Sequence, residues 1–449
     1  VNRLGHGVVE GFYGRPWSLE ARLRMVRTIG ELGLDTYAYA PKGDPLHRQR
    51  WWEPLPVEEL RAFGQLGDVA AAYGARLVYG VAPQRLFGGK QNLRARGDLA
   101  GDERFDALVG RCASLLARGV RAFMLLFDDT WTTVLPFLAS FDAGQAHARV
   151  AALALERLRE HDPGVSLAVV PAIYSGRAAE LSRGALAYLR GLASLTPIPI
   201  AWTGPKIFSS YVSGADLEAF REHVGVTPWI WNNAIANDWL PVATGEPLGR
   251  ATRQRLCFGP ATNISPEVHA RAAGVLLNGA REPRVTEAAL AAMAEEVRAP
   301  TSYEPAAALE RGLARAYGAG AGAVARLASV VGGHPLAAPR PGVPSSLEEA
   351  LRAARSGAHG ARAVLEAALA PLARIDEDLA HDLGESAGLA ELAPTARKVS
   401  LGARALLAAV RSEERASALA REAMTVGWST GLDEHLADVA RGRFLARRA

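Results

Sequence analysis

Eight short apolar runs alternating with stretches of helical periodicity fill the first three hundred residues, and no other feature limits the fold as strongly. The runs are Gly7–Gly11, Thr36–Pro41, Arg76–Pro83, Ala122–Asp129, Ser166–Ile173, Ile198–Gly204, Pro228–Asn233 and Gly274–Asn278. Amphipathic stretches lie between most of them, for example Leu19–Gly33, Val57–Gly74, Arg104–Gly119 and Ala146–His161. Apolar runs bounded by polar residues read as strands buried on both faces, and eight of them alternating with helices predict a (β/α)8 barrel. A doubly wound open sheet is the competing α/β architecture, and it wants a glycine-rich phosphate turn after its first strand. Glu10 to Gly14 supplies the glycines, but Arg15, Pro16 and Trp17 stand where a helix N-terminus would have to cradle phosphate. The barrel is the better fit.

From about residue 300 the texture changes, as Ala, Leu, Arg and Glu take over with helical spacing, for example over Leu347–Leu369 and Ala403–Ala423. The chain therefore reads as a barrel over residues 1–299 and an α-helical bundle over 300–449. A Pro- and Gly-rich connector lies near 333–345, and Ser346 with Glu349 reads as a capping box opening the next helix. Eight of the nine tryptophans precede residue 240, so aromatic platforms for a ligand belong to the barrel.

Composition removes several function classes. Charged residues make up 22% of the chain and hydrophobic ones 49%, which describes an ordinary globular protein. The 51 basic and 47 acidic residues are interspersed, so the small positive balance is not the clustered basic stripe of a nucleic-acid binder. Cys112 and Cys257 lie in apolar or helical contexts without metal-ligand spacing and read as buried hydrophobes. No apolar segment is long enough to span a bilayer and no charged n-region leads into an apolar h-region, so no membrane partner and a cytoplasmic location are expected. The oligomeric state is not legible.

On a barrel, chemistry sits at the C-terminal ends of the strands. Those ends supply Gly11 to Arg15, Lys42, Asp128 with Asp129, Tyr174, Trp202, Trp231 with Asn233, Asp238 a little beyond, and Asn278. Each residue alone has a plain structural reading: an Asp pair caps a helix, Trp202 and Trp231 pack, Asn278 opens a turn, and Lys42 lies on the surface. Their convergence on one mouth is what argues for a site. Amides and carboxylates suit the hydroxyls of a neutral sugar, and aromatic faces cover its apolar side. There is no His/Cys/Asp cluster with metal spacing, no phosphate loop and no Ser with a plausible His partner, so no metal and no cofactor are expected.

A carboxylate pair acting on a glycosidic bond is the natural chemistry, and its adjacency is informative. Ordinary glycosidases place their two acids across the scissile bond, usually on different strands. Neighbours at one strand end suit a substrate that brings its own nucleophile, as the carbonyl oxygen of a 2-acetamido sugar does in forming an oxazoline.

The motifs Gly7–Trp17 (GVVEGFYGRPW), Tyr39–Lys42 (YAPK), Phe127–Asp129 (FDD), Trp202–Pro205 (WTGP) and Asn237–Asp238 together resemble glycoside hydrolase family 84, which contains the O-GlcNAcases and bacterial β-N-acetylglucosaminidases, some of them called hyaluronidases. The resemblance covers roughly residues 5–290; beyond it lies only the general likeness that family members often carry a helical domain. It implies a retaining, metal-free, substrate-assisted β-N-acetylglucosaminidase. By the same resemblance Asp128 binds the acetamide N–H, and Asp129 is the general acid and later the base. Tyr174 steadies the acetamido oxygen and Trp231 walls the N-acetyl pocket. Asn233, Asp238, Asn278, Lys42 and the Gly11 backbone hold the sugar. Asn232 departs from the pattern, standing where relatives can carry Asp. Two other readings stay open: a binding protein for N-acetylglucosamine without turnover, and a hydrolase of polymeric 2-acetamido glycans.

Overall fold

The computed structural model describes residues 4–83, 86, 99, 102–129, 140–194, 198–238, 255–332, 345–426, 430–442 and 444. The chain divides into two compact units. One comprises Val1–Ala234, Thr262–Pro283 and Ala294–Ser302; the other comprises Ile235–Ala261, Arg284–Met293 and Tyr303–Ala449.

The first unit holds the eight expected strands: β1 (Gly5–Glu10), β2 (Thr36–Tyr39), β3 (Arg76–Val81), β4 (Ala122–Leu126), β5 (Ser166–Val170), β6 (Ala201–Trp202), β7 (Trp229–Asn232) and β8 (Gly274–Asn278). Neighbours pair in parallel in the order β5-β4-β3-β2-β1-β8-β7-β6. A parallel bridge between Val169 and Ile200, just ahead of β6, brings the last strand beside β5, so the sheet is a nearly closed barrel. Helices alternate with the strands: α1 (Leu19–Glu31), α2 (Val57–Ala72), α3 (Glu103–Leu116), α4 (Phe141–Arg159), α5 (Arg183–Ala193), α6 (Gly214–Val224) and α7 (Pro266–Arg271); α8 (Pro283–Arg298) follows β8, and its stretch Arg284–Met293 is counted with the second unit. Ser18, Asp102, Ser140, Ser182 and Ser213 each accept a backbone N–H at a helix start, which satisfies donors the helix itself leaves unpaired.

The barrel interior is filled by Val9, Ala38, Val78, Met124, Leu126, Ala168, Val170, Ala201, Trp229, Trp231 and Leu276 among others. Small residues on β2, β5 and β6 leave room for the two indoles of β7, an exchange of volume that keeps the interior closely packed. Outward-facing Phe127 stacks on His147 of α4, ring centroids 3.9 Å apart.

Most apolar runs extend a few residues past the regular ladder, and single hydrogen bonds continue there. Lys42 N–H donates to the Phe12 carbonyl (3.0 Å), Phe127 N–H to Val170 (2.9 Å) and Thr203 N–H to Tyr174 (2.8 Å). The mouth is therefore built from backbone that has left the sheet but is still tied to it.

The second unit is helical: α9 (Pro305–Tyr317), α10 (Ala321–Val331), α11 (Ser345–Arg355), α12 (Ala361–Leu369), α13 (Ile375–Leu383), α14 (Ala387–Val410), α15 (Ala416–Thr425) and α16 (Asp433–Ala440). The periodicity over Leu347–Leu369 is shared by two helices, with Gly357 and Gly360 between them at φ of 72° and 73°. Helix α11 begins at Ser345, which puts Ser346 inside the first turn rather than at its cap. Residues 333–344 of the expected connector lie outside the described residues. Among the described residues no helix is long and apolar enough to cross a membrane.

Candidate active site

Strand parity explains why distant residues meet. Side chains two apart on a strand point to the same face. Val9 leads to Gly11, Ala40 to Lys42, Leu126 to Asp128, Val170 by way of Ala172 to Tyr174, Trp231 to Asn233, and Leu276 to Asn278. Each starting residue, Val170 included, is no more than 6% exposed and belongs to the barrel interior. The functional candidates thus continue the inward rows of their strands into the mouth.

Lys42 is the centre of the charge arrangement. Its Nζ lies 2.5 Å from Asp128 Oδ2 and 3.4 Å from Asp129 Oδ2. Parity alone would send Asp129 away from Asp128. Instead Asp129 has φ of 53°, and this left-handed turn brings both carboxylates to one ammonium. Asp129 is further caged: the Tyr13 hydroxyl donates to Oδ2 (2.7 Å), the Tyr174 hydroxyl donates to Oδ1 (3.2 Å), and Arg48 donates to its backbone carbonyl (3.1 Å).

These contacts set the charges. Burial works against ionisation of Asp129, but Lys42, the Tyr13 hydroxyl, Arg48 and the Tyr174 hydroxyl outweigh it and hold its carboxyl at about 2. Burial raises the Asp128 carboxyl above the usual carboxylate range against the pull of Lys42, helped by the neighbouring Asp129 charge. For Lys42 burial opposes the charge, yet Asp128 and Asp129 together raise its pKa. Asp128 Oδ1 is buried and has no hydrogen-bond partner among the described residues, which leaves it an acceptor in the mouth.

A second group forms a wall. The Trp231 indole N–H donates to Asn233 Oδ1 (2.9 Å), Asn278 Nδ2 donates to the same oxygen (2.9 Å), and Gly11 N–H donates to Asn278 Oδ1 (3.1 Å). Asn233 Nδ2 donates to the Ile207 carbonyl (2.8 Å). A Cβ on Gly11 would fall 2.2 Å from the Trp231 ring, so only glycine lets the indole lie there. The wall's polar groups are satisfied mainly by one another, which fixes the Trp231 plane within reach of Lys42, whose Nζ is 5.7 Å from the ring centroid.

The structure thus brings together Gly11, Lys42, Asp128, Asp129, Tyr174, Trp231, Asn233 and Asn278. Asp238 is half-buried on the segment after β7, within the stretch Ile235–Ala261 of the second unit. Trp202 belongs to the packing: its indole donates to the Gly176 carbonyl (3.1 Å) and its ring lies 5.1 Å from that of Phe220. Asn232 points the other way along β7, exchanging two hydrogen bonds (3.0 and 2.9 Å) with Asn263. Arg48 carries no mark in the sequence, and Tyr13 stands out there only as part of a motif. Neither has a local signal, because both reach Asp129 from loops distant in the chain.

A family model described as beta-N-acetylglucosaminidase matches residues 6–329. Protein O-GlcNAcase of Rattus norvegicus and that of Mus musculus are each 30% identical to the chain over 274 residues, which is 61% of this chain and 27% of theirs. The chain thus spans about a quarter of the length of these curated relatives. Among solved structures, a mutant O-GlcNAc hydrolase of Thermobaculum terrenum matches with a TM-score of 0.79 at 20% identity, covering 99% of this chain and 94% of that one. CpGH84B matches with a TM-score of 0.78 at 21% identity, covering 98% and 77%. At these identities the structures speak for the fold. With the family model matching well over half of its length, the chain belongs to the beta-N-acetylglucosaminidase family of glycoside hydrolases, as the resemblance of its motifs implied.

Proposed function

We propose that the barrel removes terminal β-linked N-acetylglucosamine with retention of configuration, through an oxazoline formed by the substrate's own acetamide. The observation that carries this reading is the Asp128–Asp129 pair on one buried lysine, 2.5 and 3.4 Å away, at the mouth of a barrel of this family. No second strand end contributes a carboxylate to that cluster among the described residues, which favours a nucleophile supplied by the substrate.

In this mechanism Asp128 Oδ1, which has no hydrogen-bond partner among the described residues, accepts the acetamide N–H and orients the carbonyl oxygen toward the anomeric carbon. That oxygen forms its bond to the anomeric carbon as the bond to the leaving oxygen breaks. Asp129 gives the leaving oxygen its proton, then takes one from the water that opens the oxazoline. Tyr174 steadies the acetamido oxygen, and Trp231 walls the pocket for its methyl group. Lys42, Asn233, Asn278 and the Gly11 backbone hold the sugar. The assignment of the two acids rests on the family resemblance. With Asp129 caged as described, an entering sugar has to replace part of that cage before Asp129 carries a proton.

O-GlcNAcase is the printed name of the curated relatives, and a protein-linked sugar is by that likeness the substrate proposed here. The test compares a chromogenic aryl β-N-acetylglucosaminide, a glycosylated protein and a polymeric 2-acetamido glycan. Release of N-acetylglucosamine from the first two is expected; tight binding of the sugar without hydrolysis of any of the three would reject the reading.

A further inference from the structure

We infer that Tyr13 and Arg48 act as a positioning pair for Asp129, fixing where its carboxylate points and at what pH it carries a proton. The inference rests on the proposed role of Asp129 and adds two residues to it.

The geometry is a closed ring. The Arg48 guanidinium donates through Nη2 to the Asp129 backbone carbonyl (3.1 Å) and through Nη1 to the Tyr13 hydroxyl (2.9 Å), while Nη1 also lies 3.5 Å from Asp129 Oδ2. The Tyr13 hydroxyl in turn donates to Asp129 Oδ2 at 2.7 Å. One planar fork therefore holds both the main chain of a residue at φ 53° and the hydroxyl that contacts its side chain. A non-glycine residue in the left-handed region persists where its surroundings hold it there.

The loop carrying Tyr13 is tied end to end. Glu10, buried at the end of β1, accepts the Trp17 N–H (2.9 Å) and pairs with Arg22 of α1 (2.9 Å). In its middle, next to Tyr13, Gly43 lies against the Gly14 carbonyl so closely that a Cβ would come within 1.8 Å of it. Tyr13 is nonetheless 44% exposed, so the hydroxyl that contacts Asp129 is carried by a ring at the protein surface rather than by a core side chain.

The charged and titratable groups facing Asp129 are Tyr13 from the β1 loop, Lys42 and Arg48 from the β2 loop, Asp128 beside it, and Tyr174 from the β5 loop. Burial and the Asp129 charge push the Tyr13 hydroxyl up to about 12, so it remains a donor throughout the working range. Removing that donor leaves the carboxylate with less support and raises the pH at which the pair keeps its proton.

The test is Tyr13→Phe, which deletes only the hydroxyl of a half-exposed ring. The pH profile of kcat/KM is measured on two aryl β-N-acetylglucosaminides, one with a poor leaving group and one with a good one. On the poor leaving group the alkaline limb is expected to move up by about one pH unit, because that limb reports the proton the acid must hold. On the good leaving group it is expected to stay in place. Superimposable wild-type and variant profiles, or equal movement on both substrates, would overturn the inference. A carbon-13 NMR titration of the aspartate carboxyls, assigned with Asp129→Asn, reads the same quantity without turnover. A higher Asp129 midpoint in Tyr13→Phe supports the pairing, and an unmoved midpoint sinks it even if the proposed substrate is wrong.

Discussion

Replacing Lys42 by Met removes the buried ammonium that lies against both carboxylates and keeps a side chain of similar length. The loss depends on pH, and its ceiling follows from linkage. With Lys42 gone, burial leaves Asp128 protonated at neutral pH, whereas in the unfolded chain it ionises near pH 3.9. Holding that proton costs at most about 1.4 kcal/mol per pH unit above the unfolded value, or about 4 kcal/mol at pH 7 and 1–2 kcal/mol at pH 5. The sign is that of a carboxyl with a raised folded-state pKa: the native state binds the extra proton, so stability falls as pH rises. Wild-type Asp128 is itself raised, which trims the difference between the two proteins. Urea unfolding of wild type and Lys42→Met at pH 5 and pH 7 reads it directly. The variant should lose more at pH 7 than at pH 5 by about 1–3 kcal/mol. An equal loss at both would mean that Lys42 contributes only packing and that Asp128 does not depend on its charge.

Other substitutions probe separate parts. Gly11→Ala drives a methyl into the Trp231 ring and should destabilise the fold by about 1–3 kcal/mol and raise KM; an unchanged melting temperature and KM would refute the close approach. Asn232→Asp removes the donor to Asn263 and sets acceptor against acceptor, so about 1–3 kcal/mol of stability should go while kcat/KM at fixed folded fraction holds. A large kcat/KM change there would mean that Asn232 faces the substrate. Glu10→Gln leaves the buried Arg22 without a charged partner and should cost about 3–5 kcal/mol in chemical unfolding, and a loss below 1 kcal/mol would contradict the buried pair.

Much of this protein was legible in its residues, and the parts that were not have physical reasons. All eight strands were marked by apolar runs, because a strand covered on both faces must be apolar throughout. The same feature hid the orientation of Asp128 and Asp129: a run buried on both faces shows no alternation, so its inward row is not marked. Nor does sequence reveal the left-handed turn at Asp129 that joins the pair, since Asp tolerates that conformation without requiring it. Arg48 and Tyr13 reach Asp129 across 81 and 116 residues of chain, a meeting set by barrel closure alone. In the helical unit, composition announced helices, but the breaks fell where Gly357 and Gly360 take positive φ rather than where periodicity faded.

The division of labour between two adjacent carboxylates is the centre of the account, and leaving-group dependence tests it most directly. The measurement is kcat/KM of wild type, Asp128→Asn and Asp129→Asn across aryl β-N-acetylglucosaminides of graded leaving-group acidity. Asp129→Asn should lose about 10²–10⁴-fold on poor leaving groups and far less on activated ones, while Asp128→Asn is impaired on both. If the two variants respond identically to leaving-group acidity, the separation of roles is wrong.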